Sequence, residues 1–215
     1  MFARNIVDTK WRPDLAYIIG LIATDGSLSI DGRHISLTSK DKEQLENFSR
    51  ILSLKNTIGT KFSSYKKEKK YYVIQFGSVS FYRFLLSLGL TPNKTKTIGK
   101  LKIPRKYFRD FLRGHLDGDG CTYSYWDPRW KSSFMLYTDF VCASREHLEW
   151  VRDEIKAVVN IEGRITFAGK STYHLRLAKK HSIKLFQFMY YKKGLPCLER
   201  KRLKFQLAVQ QATMA

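Results

Sequence analysis

The chain has 215 residues, 43% of them hydrophobic, enough for one large domain or two small ones with a proper core. No run approaches the roughly 18 apolar residues of a membrane-crossing helix, and Met1-Phe2-Ala3-Arg4 lacks the apolar centre of a signal peptide. The formal net charge of +20, from 39 basic and 19 acidic residues, is spread along the chain among 12 Tyr and 14 Phe, which points to nucleic acid rather than a membrane surface.

Residues 1–13 read as a lead-in, and Asp14 opens a helix at the end its carboxylate favours. Leu28 and Ile30 alternate with Ser27 and Ser29 as a strand, Asp31-Gly32 is a hairpin turn, and His34 to Thr38 returns. Asp41 caps a helix carrying Leu45, Phe48, Ile51 and Leu52. A second hairpin runs from Ile58 to Tyr65, turns through Lys66 to Lys70 and returns from Tyr71 to Phe76. A helix from Val79 to Leu88 ends at Gly89. Residues 96–103 are the connector, and Pro104 opens the next helix.

The order then repeats. A strand begins near Thr122, Asp127-Pro128 turns, and Phe134 to Cys142 returns. Ser144 caps a helix through Leu148, Val151 and Ile155. Arg164 to Phe167 and Tyr173 to Leu177 form a hairpin turning at Gly169-Lys170, a helix spans Ser182 to Tyr191, and the basic tail 198–212 is helical. The repeat is visible in residues. Asp41-Lys42-Glu43-Gln44-Leu45-Glu46 parallels Ser144-Arg145-Glu146-His147-Leu148-Glu149, and Tyr72 to Phe76 parallels Tyr173 to Leu177. Cys121, Cys142 and Cys197 are odd in number and lack metal-ligand spacing, so a reducing, intracellular compartment is expected.

Two stretches organise the chain: Ile18-Ile19-Gly20-Leu21-Ile22-Ala23-Thr24-Asp25-Gly26 and Leu112-Arg113-Gly114-His115-Leu116-Asp117-Gly118-Asp119-Gly120. Gly20 with Thr24, and Gly114 with Gly118, each line one helix face with small residues, which lets two helix backbones approach closely. Gly26 and Gly120 suit a left-handed helix end. An Asp there opposes the helix dipole, so its double occurrence asks for a cation. Asp117 reads as helix-end packing, and His115 as a residue of the exposed helix face.

These stretches resemble the LAGLIDADG homing endonucleases in their single-chain, two-repeat form, with Ala23 standing where the motif has its first Asp. The resemblance implies an α+β fold. Two pseudo-twofold αββαββα repeats, 1–95 and 104–215, pack through their motif helices, and antiparallel sheets form a DNA-binding saddle. It implies a site-specific, Mg2+-dependent double-strand DNA endonuclease. Two or three divalent ions would be shared by Asp25 and Asp119 with the backbone at Thr24 and Gly118, and Mn2+ or Ca2+ could substitute in binding. It also implies a basic residue beside the site in each half, best matched by Lys94 and Lys201. The expected partner is duplex DNA bound by a monomer. The alternatives are an RNA maturase acting on intron RNA and a non-catalytic DNA-binding regulator.

One-sided antiparallel hairpins leave a face free for the major groove. With Leu and Ile facing the core, that face receives Ser27, Ser29, His34, Ser36, Lys61, Ser63, Tyr65, Val73 and Gln75 in the first half. The second half supplies Tyr123, Tyr125, Arg164, Thr166, His174 and Arg176. Lys67, Arg129 and Lys131, at hairpin tips, are expected on phosphates.

Overall fold

A computed structural model describes residues 7–62, 70–130, 133–169 and 171–214. The elements come in the order α1 (Pro13–Asp25), β1 (Gly26–Leu28), β2 (His34–Ser39), α2 (Lys42–Ile51), β3 (Gly59–Phe62), β4 (Lys70–Gly77) and α3 (Val79–Leu88). After a short 3-10 turn at Arg105–Tyr107 come α4 (Phe108–Asp119), β5 (Gly120–Trp126), β6 (Phe134–Cys142), α5 (Arg145–Val159), β7 (Arg164–Phe167), β8 (Tyr173–Leu177), α6 (Lys179–Met189) and α7 (Glu199–Met214). The strands form two antiparallel sheets, ordered β1-β2-β4-β3 and β5-β6-β8-β7. The same order of strands and helices thus occurs twice, an α+β architecture.

Each sheet buries one face. In β2, Ile35, Leu37 and Ser39 point inward and His34, Ser36 and Thr38 outward, a period of two that its sequence already carries. Helices cover the inner faces. The core is continuous from Leu15 to Ala23 on α1, through Phe108, Phe111, Leu112 and Leu116 on α4, to Phe140, Leu175 and Leu177 of the second sheet. A smaller cluster seats Ala208 and Ala212 of α7 on Phe134 and Leu136 of β6.

The seam between the halves is α1 against α4, backbone to backbone. A Cβ added to Gly20 would stand 2.2 Å from the Phe111 carbonyl oxygen, and one on Gly114 would stand 2.0 Å from that of Tyr17. No side chain fits at either place, so both positions require glycine for contact distance alone. Arg113, fully buried, ties α4 to the end of α6: it pairs with Asp110 (2.9 Å) and donates to the carbonyls of Met189 and Pro196.

Several expectations are corrected. Gly26 and Gly120 are not left-handed; their φ values of −85° and −88° belong to extended backbone that runs straight into β1 and β5. They are glycines because the strand turns back over its own helix, where a Cβ would lie 2.6 Å from the Ile22 backbone and 2.7 Å from that of Leu116. Ile30 lies beyond β1 and is exposed. Pro104 precedes the 3-10 turn rather than α4, and α6 starts at Lys179, ahead of Ser182. Asp41 stands at the N-cap of α2, but its side chain caps nothing and instead binds Arg200.

Candidate active site

The seam delivers the C-terminal ends of α1 and α4 to one place. Gly118 is without a side chain where Thr24 Oγ1 sits: an added Cβ would come within 1.9 Å of that oxygen and 3.2 Å of Asp25 Oδ2. Asp25 and Asp119 therefore enter the same depression, a cavity of about 300 Å3 that also takes in Gln44, Tyr71 and Lys201.

Burial, together with the like charge of Asp119, raises the Asp25 carboxyl to about 6, although Gln44 Nε2 donates to its Oδ2 at 2.8 Å. Burial also raises Asp119. Two partly desolvated carboxylates side by side are held at a cost that a cation between them would relieve. Their donor set is hard oxygen, which suits Mg2+, Mn2+ or Ca2+. Among the described residues no group of three or more His, Cys, Asp and Glu side chains converges. A cation held by Asp25 and Asp119 would complete its shell with backbone carbonyls, water or a phosphate oxygen.

The two lysines fill equivalent roles at the two helix ends. Lys94, buried, donates to the carbonyl of Gly26 at 2.5 Å. Lys201 Nζ lies 2.7 to 2.9 Å from the carbonyls of Leu116, Asp117, Gly118 and Gly120, which share its three N–H bonds. Each ammonium meets carbonyls that a helix C-terminus leaves unpaired and opposes its negative dipole, so the site can hold carboxylates there. Burial lowers both lysines from the ordinary range, while Asp25 and Asp119 pull the other way. The Gly118 carbonyl, expected as a metal ligand, is shared with Lys201 and keeps one lone pair.

Asp117 is structural. Tyr17 Oη and the Leu198 amide both donate to its Oδ2, at 2.9 and 2.7 Å, and burial raises its carboxyl to about 7. His115 is not on an exposed face. It is buried and stacked on His147, with ring centroids 5.2 Å apart. His147 Nδ1 must donate to the Gly99 carbonyl (2.8 Å), so its Nε2 accepts from His115 Nε2 (3.1 Å) and His115 Nδ1 has no partner. Burial depresses both imidazoles, His147 to about 4.

Strand register sorts the remaining expected residues. Ser27, Ser36 and Gln75 form one cross-strand row on the outer face of the first sheet; Val73 and Lys61 share that face. Thr38 and Tyr71, absent from the sequence-based set, fall there too, opposite Val73 and Lys61. Ser29 and His34 line a second depression with Ser36 and Gln75. In the second sheet Tyr123, Tyr125, Arg164, Thr166, His174 and Arg176 share the outer face. Arg129 is occupied by Asp127 at 2.9 and 3.1 Å, yet remains exposed. Ser63, Tyr65, Lys67 and Lys131 lie outside the described residues.

Three features escaped sequence reasoning. Gln44 is one; its place in an amphipathic helix gave no sign that it turns toward Asp25. The others are the buried Arg113 and Asp139, a carboxylate in the outer face of β6.

Residues 12–89 match the LAGLIDADG-like domain. The match covers the first repeat; the second repeat rests on the fold. No curated protein matches the chain by sequence. Among solved structures, the homing endonuclease I-WcaI bound to its DNA recognition sequence is 14% identical, with a TM-score of 0.63 over 92% of this chain and 88% of that one. I-DmoI in complex with DNA and Ca is 17% identical, TM-score 0.56, over 86% and 93% of the two chains. Full-length WhiA from Thermatoga maritima is 17% identical, TM-score 0.60; the match covers 98% of this chain and 66% of WhiA. The LAGLIDADG fold is therefore common to homing endonucleases and WhiA, and at such identities the likeness establishes the fold alone.

Proposed function

We propose that the protein is a site-specific endonuclease that hydrolyses one phosphodiester in each strand of a DNA duplex. The observation that carries this reading is the meeting of Asp25 and Asp119, one from each repeat, in a single cavity at the helix seam. Structural neighbours solved with DNA and with Ca or Mn support it. A divalent cation bound by the two carboxylates would supply an activated water and neutralise charge on the leaving oxygen.

The chain's own residues set the conditions. Gln44 fixes one oxygen of Asp25. Lys94 and Lys201 hold the helix ends in register and add positive potential beside the scissile phosphates. With its carboxyl at about 6, Asp25 is ionised at neutral pH and available to a metal. The outer sheet faces, on a chain of net charge +20, would follow the major groove and its phosphates. Both carboxylates come from one chain, so the proposed site needs no second copy of the protein.

Cleavage-site selection from randomised duplexes with Mg2+ tests this. A discrete double-strand cut is expected. Asp25→Asn and Asp119→Asn should keep binding the selected DNA while losing about three orders of magnitude in cutting rate, a few kcal/mol of barrier. Selected binding by wild type without scission would favour a DNA-binding regulator, and protection of an intron transcript a maturase.

A further inference from the structure

Asp139 is 2% exposed although it sits on the outer, otherwise open face of the second sheet. It is buried by what it holds. Arg176 Nε and Nη2 donate to its two carboxylate oxygens, each at 2.9 Å, and His174 Nδ1 lies 3.1 Å from Oδ2. The guanidinium carbon also stands 5.5 Å from the Tyr123 ring centre and 5.8 Å from that of Tyr137. The Arg176 side chain nevertheless remains 44% exposed.

We propose that Arg176, positioned by Asp139, reads a guanine in the inner part of the half-site that the second repeat contacts. This rests on the DNA-binding reading above. A guanidinium carries five N–H donors. The carboxylate takes the Nε/Nη2 side, and the outer pair of N–H bonds on Nη1 and Nη2 is left as a parallel fork. Guanine is the base that offers two acceptors, N7 and O6, to such a fork in the major groove.

Phosphate is the poorer ligand for this arginine. Asp139 cancels its charge locally, so the attraction that dominates phosphate contacts is weakened while the directional fork is kept. Fixing the side chain beforehand removes the rotamer entropy a free surface arginine would lose on contact.

The register also says where. Cys121, Asp139, Arg176 and Arg164 form one cross-strand row, and Cys121 follows Asp119 by two positions. The guanine therefore lies beside the cut rather than at the outer end of the target. The matching row of the first sheet, Ser27, Ser36 and Gln75, holds no carboxylate and no arginine. Gln75 suits adenine instead. The two inner half-sites are thus read by different chemistry.

Binding selection from randomised duplexes, with the full chain in Ca2+ to separate binding from cutting, tests the assignment. Wild type should enrich one guanine near the centre of one half-site, by on the order of ten-fold over the other bases. Arg176→Ala and Arg176→Lys should erase that preference and leave every other position as in wild type; Lys keeps the charge but has no fork. Asp139→Asn should weaken the same position only. Circular dichroism checks that each variant is folded, and retained preferences elsewhere confirm it independently. An unchanged guanine preference in both Arg176 variants overturns the proposal while leaving the DNA-binding reading intact. Failure of wild type to enrich any sequence overturns both.

Discussion

His147 occupies in the second repeat the place that Gln44 takes in the first, and the two side chains bind different kinds of partner. Gln44 reaches Asp25; His147 turns to His115 and Gly99. Its burial has a thermodynamic signature. The folded state holds His147 neutral down to about 4, while the unfolded chain takes up a proton near the ordinary histidine value of about 6.5. Between those values the unfolded state binds more protons, so stability rises with pH across that window and is lost as pH falls through it. His115 is depressed in the same direction. Raised carboxyls such as Asp117 act oppositely, so a difference between variants isolates the histidine. His147→Gln should narrow the gap between urea stabilities at pH 7 and pH 5 by about 2 kcal/mol relative to wild type. An identical gap in both proteins would place the acid sensitivity elsewhere.

At the scale of elements, the helix seam makes a sharper demand. Gly20→Ala puts a methyl group into the Phe111 carbonyl, and neither backbone can yield without parting the helices. A loss of about 1–3 kcal/mol in denaturant stability is expected, with scission impaired beyond what stability explains. Gly59→Ala, on the exposed edge strand β3, where an added Cβ meets only Val73 at an ordinary contact distance of 3.7 Å, serves as the stability control.

This seam was legible in the sequence because its cause is local: small residues at helical spacing, repeated. So were the strand faces, since alternation fixes them wherever one face is buried. The interactions that join distant segments were not. Asp41 could be read as a helix cap, but its acceptors go to Arg200, which the chain reaches only after both repeats are built. His115 looked solvent-facing because a polar residue on a helix gives no sign of a stacked partner on another helix. Asp139 occupied an outward position in β6 like any solvated residue, and only strand pairing reveals Arg176 beside it. Periodicity assigns a residue to a face; it says nothing of what stands opposite.

For the whole molecule, the charge would dominate the encounter with DNA that the proposed function requires. With a net charge of +20, affinity should fall by about three orders of magnitude or more between 50 and 200 mM salt, as for any protein engaging six to ten phosphates. Fluorescence anisotropy across a salt series measures the slope; a flat response would mean that the basic residues do not face the duplex. The segment from Cys197 to Lys201 binds both halves: Asn47 donates to the Cys197 carbonyl, the Glu199 amide meets Glu43, Arg200 pairs with Asp41, and Lys201 closes the end of α4. Meanwhile the glycine contact between α1 and α4 admits no gradual sliding. The next register that would seat the helices again lies one turn, about 5.4 Å, away, farther than one base-pair step of about 3.4 Å. On the proposed nuclease reading, the offset between the two nicks is thus a ruler locked inside the protein, whereas the letters it reads are written on the open sheets. Evolution could rewrite the address freely while the gauge of the cut stayed the same.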